Sequence, residues 1–381
     1  MNWQSRKLVD IAKPRQWKNL PSSEMTEDGY LVYGANGVIG KYREYTHATP
    51  TIAITCRGAT CGNLHITEPY SYINSNAMAL DDLSNDVNIS FLYYALRKRG
   101  LKDVISGSAQ PQITRENLAK VTIPLPPLED QVRIATVLTR AEQLIAKRKE
   151  SIMALDALLK STFLEMFGDP VRNEKGWEKT NLEDLAIEFK YGTNTISDSK
   201  ELKGKMPILR IPNIVGERIN YADLKYSKIE NEEKEKIRLQ KGDLLFVRTN
   251  GNPAYIGRCA VFLDEIECGY ASYLIRTRLR PDSPVSPEFI RAVISFPTYR
   301  SIVISKAKTT AGNYNINTES LKSLQIYLPP LSLQNKFAAI DKKIEALKAK
   351  YQQSLTELEN LYGSLSLRAF KGELDLSGVR V

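Results

Sequence analysis

Apolar side chains recur at three- and four-residue steps along residues 129–167: Ile134, Val137, Leu138, Ala141, Leu144, Ile145, Ile152, Leu155, Leu158 and Leu159. That spacing lays them along one stripe of an α-helix. Neither proline nor glycine interrupts the run until Gly168, and Pro170 behind it makes an ordinary helix stop. At about 1.5 Å per residue the helix is a rod of roughly 58 Å. One small domain cannot bury a stripe of that length, so a partner helix is expected. Residues 332–370 supply it. Phe337, Ile344, Tyr351, Leu358 and Leu365 fall at steps of seven, and Ile340, Leu347 and Leu361 form a second series. This is the pattern of a coiled-coil seam. With a whole domain between the helices, the chain can run out along one and back along the other, which predicts an antiparallel pair.

The two runs are copies of each other. Ile123-Pro-Leu-Pro-Pro-Leu-Glu-Asp-Gln131 opens the first, and Ile326-Tyr-Leu-Pro-Pro-Leu-Ser-Leu-Gln334 opens the second. Pro126 and Pro329, Gln131 and Gln334, Leu144 and Leu347, Leu158 and Leu361, Ser161 and Ser364, and Phe167 and Phe370 all lie 203 positions apart. The register holds without a gap over about 45 residues, a strong repeat signal. Upstream, Trp177, Leu182, Asp184, Leu185 and Ala186 echo Trp3, Leu8, Asp10, Ile11 and Ala12 at an offset of 174. The growth of the offset gives the second half about 29 extra residues, expected mostly in loops. Thr51-Ile-Ala-Ile-Thr-Cys56 and Tyr70-Ser-Tyr-Ile-Asn-Ser75 read as strands, and Phe91 to Lys102 as an amphipathic helix with a basic end. In the second half, Gly242 to Arg248 matches the first of these strands and Glu288 to Ser305 the helix. Gly312-Asn-Tyr-Asn-Ile316 matches Ala109-Gln-Pro-Gln-Ile113. The expected class is α+β: a mixed domain over 1–128, a long helix over 129–168, a second domain over 169–331, a second long helix over 332–371, and a tail over 372–381.

Charge adds a partner class. The 381 residues carry a net charge of +9, which suits a polyanion, though charge alone leaves open a basic protein with no nucleic-acid role. No apolar run approaches the roughly 18 residues that span a bilayer. The first residues, Met1 to Lys7, lack the apolar core of a secretory signal, so a cytoplasmic place is expected. Cys56, Cys61, Cys259 and Cys268 show no Cys-x-x-Cys spacing and read as reduced thiols, with no metal site expected.

Several stretches suggest chemistry and fail to complete it. Gly34-Ala-Asn-Gly37-Val-Ile-Gly40 looks like a phosphate-cradling loop, but no helix follows, so a glycine turn is expected. Asn252-Pro253-Ala254-Tyr255 is similar to the Asn-Pro-Pro-Tyr signature of amino-methyltransferases, without the second proline or a cofactor loop before it. His47 and His65 stand at no ligand or triad spacing, and Asp243, Glu265 and Glu267 lack a partnering arrangement for nuclease chemistry. No catalytic residue is assigned.

The order, spacing and duplication of these pieces resemble the specificity subunits of type I restriction–modification systems, over essentially the whole chain. The two Pro-Pro-Leu stretches with their helices carry the resemblance. Tyr33-Gly-Ala-Asn-Gly-Val-Ile-Gly40, Gly107-Ser-Ala-Gln-Pro-Gln-Ile113 and Gly312 to Ile316 support it. Ser332-Leu333 in place of Glu129-Asp130 is a local departure. The resemblance implies a non-catalytic DNA-reading subunit, with each domain recognising one half of an asymmetric, split target. The helices would set the gap, near the roughly 34 Å of one duplex turn. The implied partners are double-stranded DNA and two modification subunits, with restriction subunits as optional members and no membrane. S-adenosylmethionine would belong to the modification subunits, with no cofactor in this chain. Docking of those subunits is expected on the exposed helix faces and the Pro-Pro-Leu segments. Lysine and arginine suit phosphates, and Arg, Asn, Gln, Ser and Thr suit base edges. The DNA-binding candidates are therefore Lys41, Arg43, Arg57, Thr60, Asn63, Gln110 and Gln112 in the first domain. In the second they are Arg210, Asn213, Arg248, Asn250, Asn252, Arg258, Asn313 and Asn315. Two other classes remain to be weighed: a methyltransferase or nuclease in its own right, and a coiled-coil scaffold without DNA.

Overall fold

Two of the strand segments, Ile52–Thr55 and Leu244–Val247, are buried at every position and apolar at all but Thr55, and such runs need cover on both faces. The fold provides it twice. The computed structural model describes residues 3–107, 109–198, 204–310 and 312–380; Ser108, inside the 107–113 stretch, lies outside them. The chain forms two compact units, Met1–Ser151 with Tyr351–Val381, and Ile152–Lys350. Each joins one globular domain to part of both long helices, which run Leu128–Phe167 and Leu331–Lys371.

In the first unit a four-stranded antiparallel sheet has the order Lys13–Gln16, Ala77–Asp81, Ile52–Thr55, Leu64–Ile66. A three-stranded sheet has the order Gly37–Tyr42, Tyr30–Gly34, Tyr72–Ile73, the last pair parallel. A ribbon of Gln4–Lys7 with Thr122–Leu125 closes the domain where the chain enters and leaves. The second unit repeats every order. Its four-stranded sheet is Ala186–Tyr191, Leu274–Leu279, Leu244–Val247, Cys259–Val261. Its three-stranded sheet is Lys225–Ser227, Met206–Leu209, Gly269–Tyr270, again with the last pair parallel. Its ribbon is Lys179–Asn181 with Gln325–Tyr327. The repeat thus reaches the domain interiors, where the two sequences are dissimilar. The second domain adds a hairpin, Ile214–Val215 with Arg218–Ile219, and a three-stranded sheet of Thr249–Asn250, Asn313–Asn315 and Lys308–Thr310. The Gly34–Gly40 stretch is a hairpin turn, with Gly34 paired to Gly37 and Gly37 at φ +82°.

Burial on the long helices corrects part of the expected stripe. Leu144, Leu158, Leu347 and Leu361 face solvent, 37–53% exposed. On the second helix the inward positions are Phe337, Asp341, Ile344, Lys348, Tyr351, Leu355, Leu358, Tyr362, Leu365 and Ala369, an alternation of four- and three-residue steps. Polar residues stand at seam positions there, which is why a count of apolar residues assigned the second series to the wrong face. Asp341 is buried and paired with Arg218 at 2.6 Å and Arg291 at 2.7 Å. Lys348 reaches Asp156 at 2.6 Å. Arg148 lies over the Tyr351 ring at 4.4 Å. The pairing is antiparallel in the second unit, where Asp156 meets Lys348 and Phe163 meets Phe337. In the first unit Arg148 meets Tyr351, while Ile134 and Leu138 share a core with Leu365 and Ala369. The tail joins that same core through Leu374 and Leu376.

The repeated glutamine fastens each domain to its helix. Gln131 and Gln334 are fully buried. Gln131 Nε2 donates to Asp86 O and Pro126 O, both at 2.9 Å, and Asn88 N donates to its Oε1 at 2.9 Å. Gln334 Nε2 donates to Pro284 O at 2.9 Å and Pro329 O at 2.7 Å, and Ser286 N donates to its Oε1 at 2.8 Å. Asn88 and Ser286 are themselves the N-caps of helices Ile89–Arg99 and Pro287–Ser295. Gln131→Leu or Gln334→Leu leaves three backbone groups, one buried and two partly buried, without these partners. We expect a loss of about 2–4 kcal/mol in denaturant unfolding, with faster amide hydrogen exchange confined to 86–92 for the first variant and 284–290 for the second.

Candidate nucleic-acid interface

Polar loops that leave the ends of buried strands are where a reading surface can be built. In the first domain three loops meet beyond Thr55. The Thr60 hydroxyl donates to Asn36 Oδ1 at 2.8 Å, with Ala35 O at 3.1 Å. Gly58 N donates to Pro111 O at 3.1 Å, and Ile113 N to Cys56 O at 3.0 Å. Gln112 exchanges two backbone hydrogen bonds with Ser106, both 2.8 Å, and pairs with Arg57. This gathers Arg57, Thr60, Asn63, Gln110 and Gln112, all exposed except the half-buried Thr60. Lys41 and Arg43 do not join them. Lys41 lies four residues along its strand from the hairpin tip, about 13 Å away. It sits 4.0 Å from Asp28, and Arg43 rests 5.7 Å from the centre of the Tyr42 ring. Nearby, Tyr30, Tyr45 and Tyr70 form an exposed aromatic trio with centroids 5.0–6.3 Å apart.

In the second domain the corresponding place holds Arg248, Asn250, Asn252, Arg258, Asn313 and Asn315. Thr249 pairs with Asn315 and Asn250 with Tyr314. The 252–258 turn is tightly fixed. Asn252 Oδ1 accepts from Ala254 N at 3.0 Å, and Asn250 Oδ1 from Asn252 N at 2.9 Å. Gly257 N donates to Val247 O at 2.8 Å, and Val247 N to Arg258 O at 2.9 Å. Arg300 underlies the turn and donates to Ala254 O and Ile256 O. Burial, together with the neighbouring Arg258 charge, lowers the pKa of Arg300. Arg258 stacks on Tyr255, 3.9 Å from its ring centre, and Arg248 on Tyr191 at 4.7 Å.

Two expected contacts fall elsewhere. Asn213 is fully buried; its Oδ1 accepts from Arg210 N, and its Nδ2 donates to Asn220 O at 2.9 Å and Ala222 O at 3.1 Å. It shapes a turn and is not a DNA contact in this fold. Arg210, beside it, is paired with Asp223 at 3.1 Å. Asn36, Tyr191 and Tyr255, which were not among the candidates, stand in these clusters beside Thr60, Arg248 and Arg258. The tyrosines carried a usable signal, aromatic residues interleaved with arginine; Asn36 carried none, because only the fold brings its turn to Thr60.

The other chemical suggestions have structural explanations. Asn252 serves as a turn cap, not as the base-gripping residue of a methyltransferase. Asp243 is buried and locked by Arg278 through Nε and Nη2, both 2.8 Å. His47 bonds to the buried Asp81 at 2.9 Å. Burial pushes the Cys268 thiol up to about 12 and the Cys259 thiol higher, leaving both protonated and unreactive at neutral pH.

A duplicated mixed α/β domain with polar loops at its strand ends, each copy fastened to a long helix, defines a two-headed reader. The chain belongs to the type I restriction modification DNA specificity domain family, whose model matches residues 1–154 and again 174–360. The EcoKI specificity subunit of Escherichia coli K12 is 27% identical over 363 residues, 90% of this chain and 73% of that protein. The StySPI specificity subunit of Salmonella potsdam is 26% identical over the same shares. The solved S subunit of a type I restriction–modification system from M. genitalium has the same fold, with a TM-score of 0.65 at 16% identity, covering 97% of this chain and 96% of that one.

Gly257 holds φ +63°, and a Cβ there would lie 2.4 Å from Val303 Cγ1. Gly257→Ala therefore displaces the turn that carries Arg258. The expected result is at least a tenfold loss of affinity for the cognate duplex, on the scale of one broken base contact, with thermal unfolding of the first unit unchanged. Binding titration and calorimetry check the two outcomes.

Proposed function

We propose that this chain is the DNA sequence-specificity subunit of a type I restriction–modification complex, with no catalytic step of its own. The observation that carries this reading is one scaffold built twice with different loops. Strand orders, ribbon and glutamine fastening coincide in the two units, while the loops beyond Thr55 and Val247 differ outside the matching 109–113 and 312–316 stretches. In each domain one strand connects the two regions. Ala77, paired with Thr55, lies at the loop end of Ala77–Asp81, and the other end leads to the segment held by Gln131. Leu274, paired with Val247, and the segment held by Gln334 bound Leu274–Leu279 in the same way. Reading loops can therefore vary without disturbing the fastening. Each domain would read one half of an asymmetric target, and the antiparallel helices would set the unread gap.

The helix surfaces support two corresponding docking sites for modification subunits. The first unit exposes Leu128, Leu144, Leu361 and Leu367, and the second exposes Leu331, Leu347, Leu158 and Leu164. The members of the two sets correspond one for one at the 203-residue offset. Four exposed leucines recurring at matched positions in both units favour an interaction surface over singly scattered apolar residues. S-adenosylmethionine and methyl transfer to adenine belong to the docked subunits, and the site of action is the cytoplasm, where the duplex is. Among the described residues no helix is long and apolar enough to cross a membrane.

Exchanging residues 1–122 for those of a relative with another target should change one half of the methylated motif and leave the other intact, read by mapping methylated adenine. A change in both halves, or in neither, would contradict the two-reader arrangement. Leu144→Glu with Leu361→Glu should lower the number of bound modification subunits from two to one, and adding Leu158→Glu and Leu347→Glu should remove both. Native mass spectrometry reads the stoichiometry; full assembly of the fourfold variant would rule out this docking face.

A further inference from the structure

The geometry points to Arg248 and Arg258 as the guanine-reading side chains of the second domain, each held ready by a tyrosine. The inference rests on the DNA-reading role proposed above and specifies the bases involved. A guanidinium stacked face-on over an aromatic ring keeps its N–H groups in the plane and pointing outward. Arg258, 3.9 Å from the Tyr255 ring centre, donates Nε to Ala254 O at 3.2 Å, which leaves its two terminal nitrogens as a parallel fork. Arg248, 4.7 Å from the Tyr191 ring centre, donates Nη1 to Ser272 O at 3.2 Å, which leaves its Nε–Nη2 edge. A planar two-donor edge matches guanine O6 and N7 in the major groove. Both arginines are half-buried and flank one turn, with Val247 N bonded to Arg258 O and Ile316 N to Arg248 O. A flexible surface arginine on a phosphate needs none of this restraint.

The surrounding amides divide by the same reasoning. Recognition of adenine by asparagine uses the carbonyl and the amino group together. Asn250 and Asn252 have their carbonyl oxygens engaged in holding the turn. Asn313 is exposed at the end of its strand. Arg248 and Arg258 thus read, Tyr191 and Tyr255 position them, and Asn250 and Asn252 shape the turn.

The test uses the full complex with modification subunits and maps the methylated motif. Wild type should methylate a split motif whose second half contains guanine. Arg258→Gln and Arg248→Gln should each relax one guanine position of that half, lowering discrimination about 10- to 100-fold. The first half, unchanged, reports that the variant is folded. Tyr255→Leu should weaken discrimination at the Arg258 position, and Tyr255→Phe, which keeps the ring, should restore it. If both arginine variants keep the motif and lose methylation evenly across sequences, with the salt slope reduced by about one, the arginines are phosphate contacts and the inference fails. A second half without guanine also overturns it. A wild-type complex that methylates no split motif overturns the proposed function instead.

Discussion

A buried primary amide can make few hydrogen bonds, and each one left unmade in a low dielectric is costly. Gln131 and Gln334 make theirs to three backbone groups that would otherwise compete for water. Each amide joins the carbonyl of a Pro-Pro turn, a loop carbonyl and the N-cap amide of a domain helix. Proline cannot donate a hydrogen bond and has a fixed φ, so the turn enters the long helix in one way only. The rest of each unit depends on this joint. It sets the direction in which the domain sheet leaves the helix, and so where the reading loops stand.

The helices add a second constraint. Asp341 sits in the second unit's seam between Arg218 and Arg291, and Lys348 reaches Asp156. Buried ion pairs contribute little net stability, because desolvation offsets most of the attraction. A shift of the second helix against its domain would instead leave Asp341 and Arg291 buried without their partners. These pairs fix the register of the second helix on its domain more than they add stability. Arg218 comes from a hairpin that the first domain lacks among the described residues, so part of the extra length of the second half serves that register.

Above these joints the two domains are free to differ. The loops beyond Thr55 in the first gather amides, a threonine and one arginine. The second uses two arginines stacked on tyrosines over a rigid turn. Both sites lie at the far end of one short strand from the glutamine joint, close enough to be held firmly and separate enough to vary.

Much of this was legible in the sequence because it is local. The long helices follow from three- and four-residue apolar steps, the duplication from a constant offset, and the turn at 34–40 from its glycines. Arg57, Gln112, Arg248 and Asn313 could be placed together on loops beside buried strands, because a polar stretch after an apolar run marks the loop that leaves a strand. Side-chain partnership was not legible. Apolar counting assigned Leu144, Leu158, Leu347 and Leu361 to the seam, because Asp341, Lys348 and Arg148 become seam residues only when partners neutralise or cover them. Asn213 resembled a reader until the fold buried it against Asn220 and Ala222 carbonyls. The sequence by itself determined the elements, their order and their duplication, since these rest on period and propensity along the chain. Only the tertiary structure decided which faces are buried and which polar groups are already engaged, because those depend on residues tens to hundreds of positions apart.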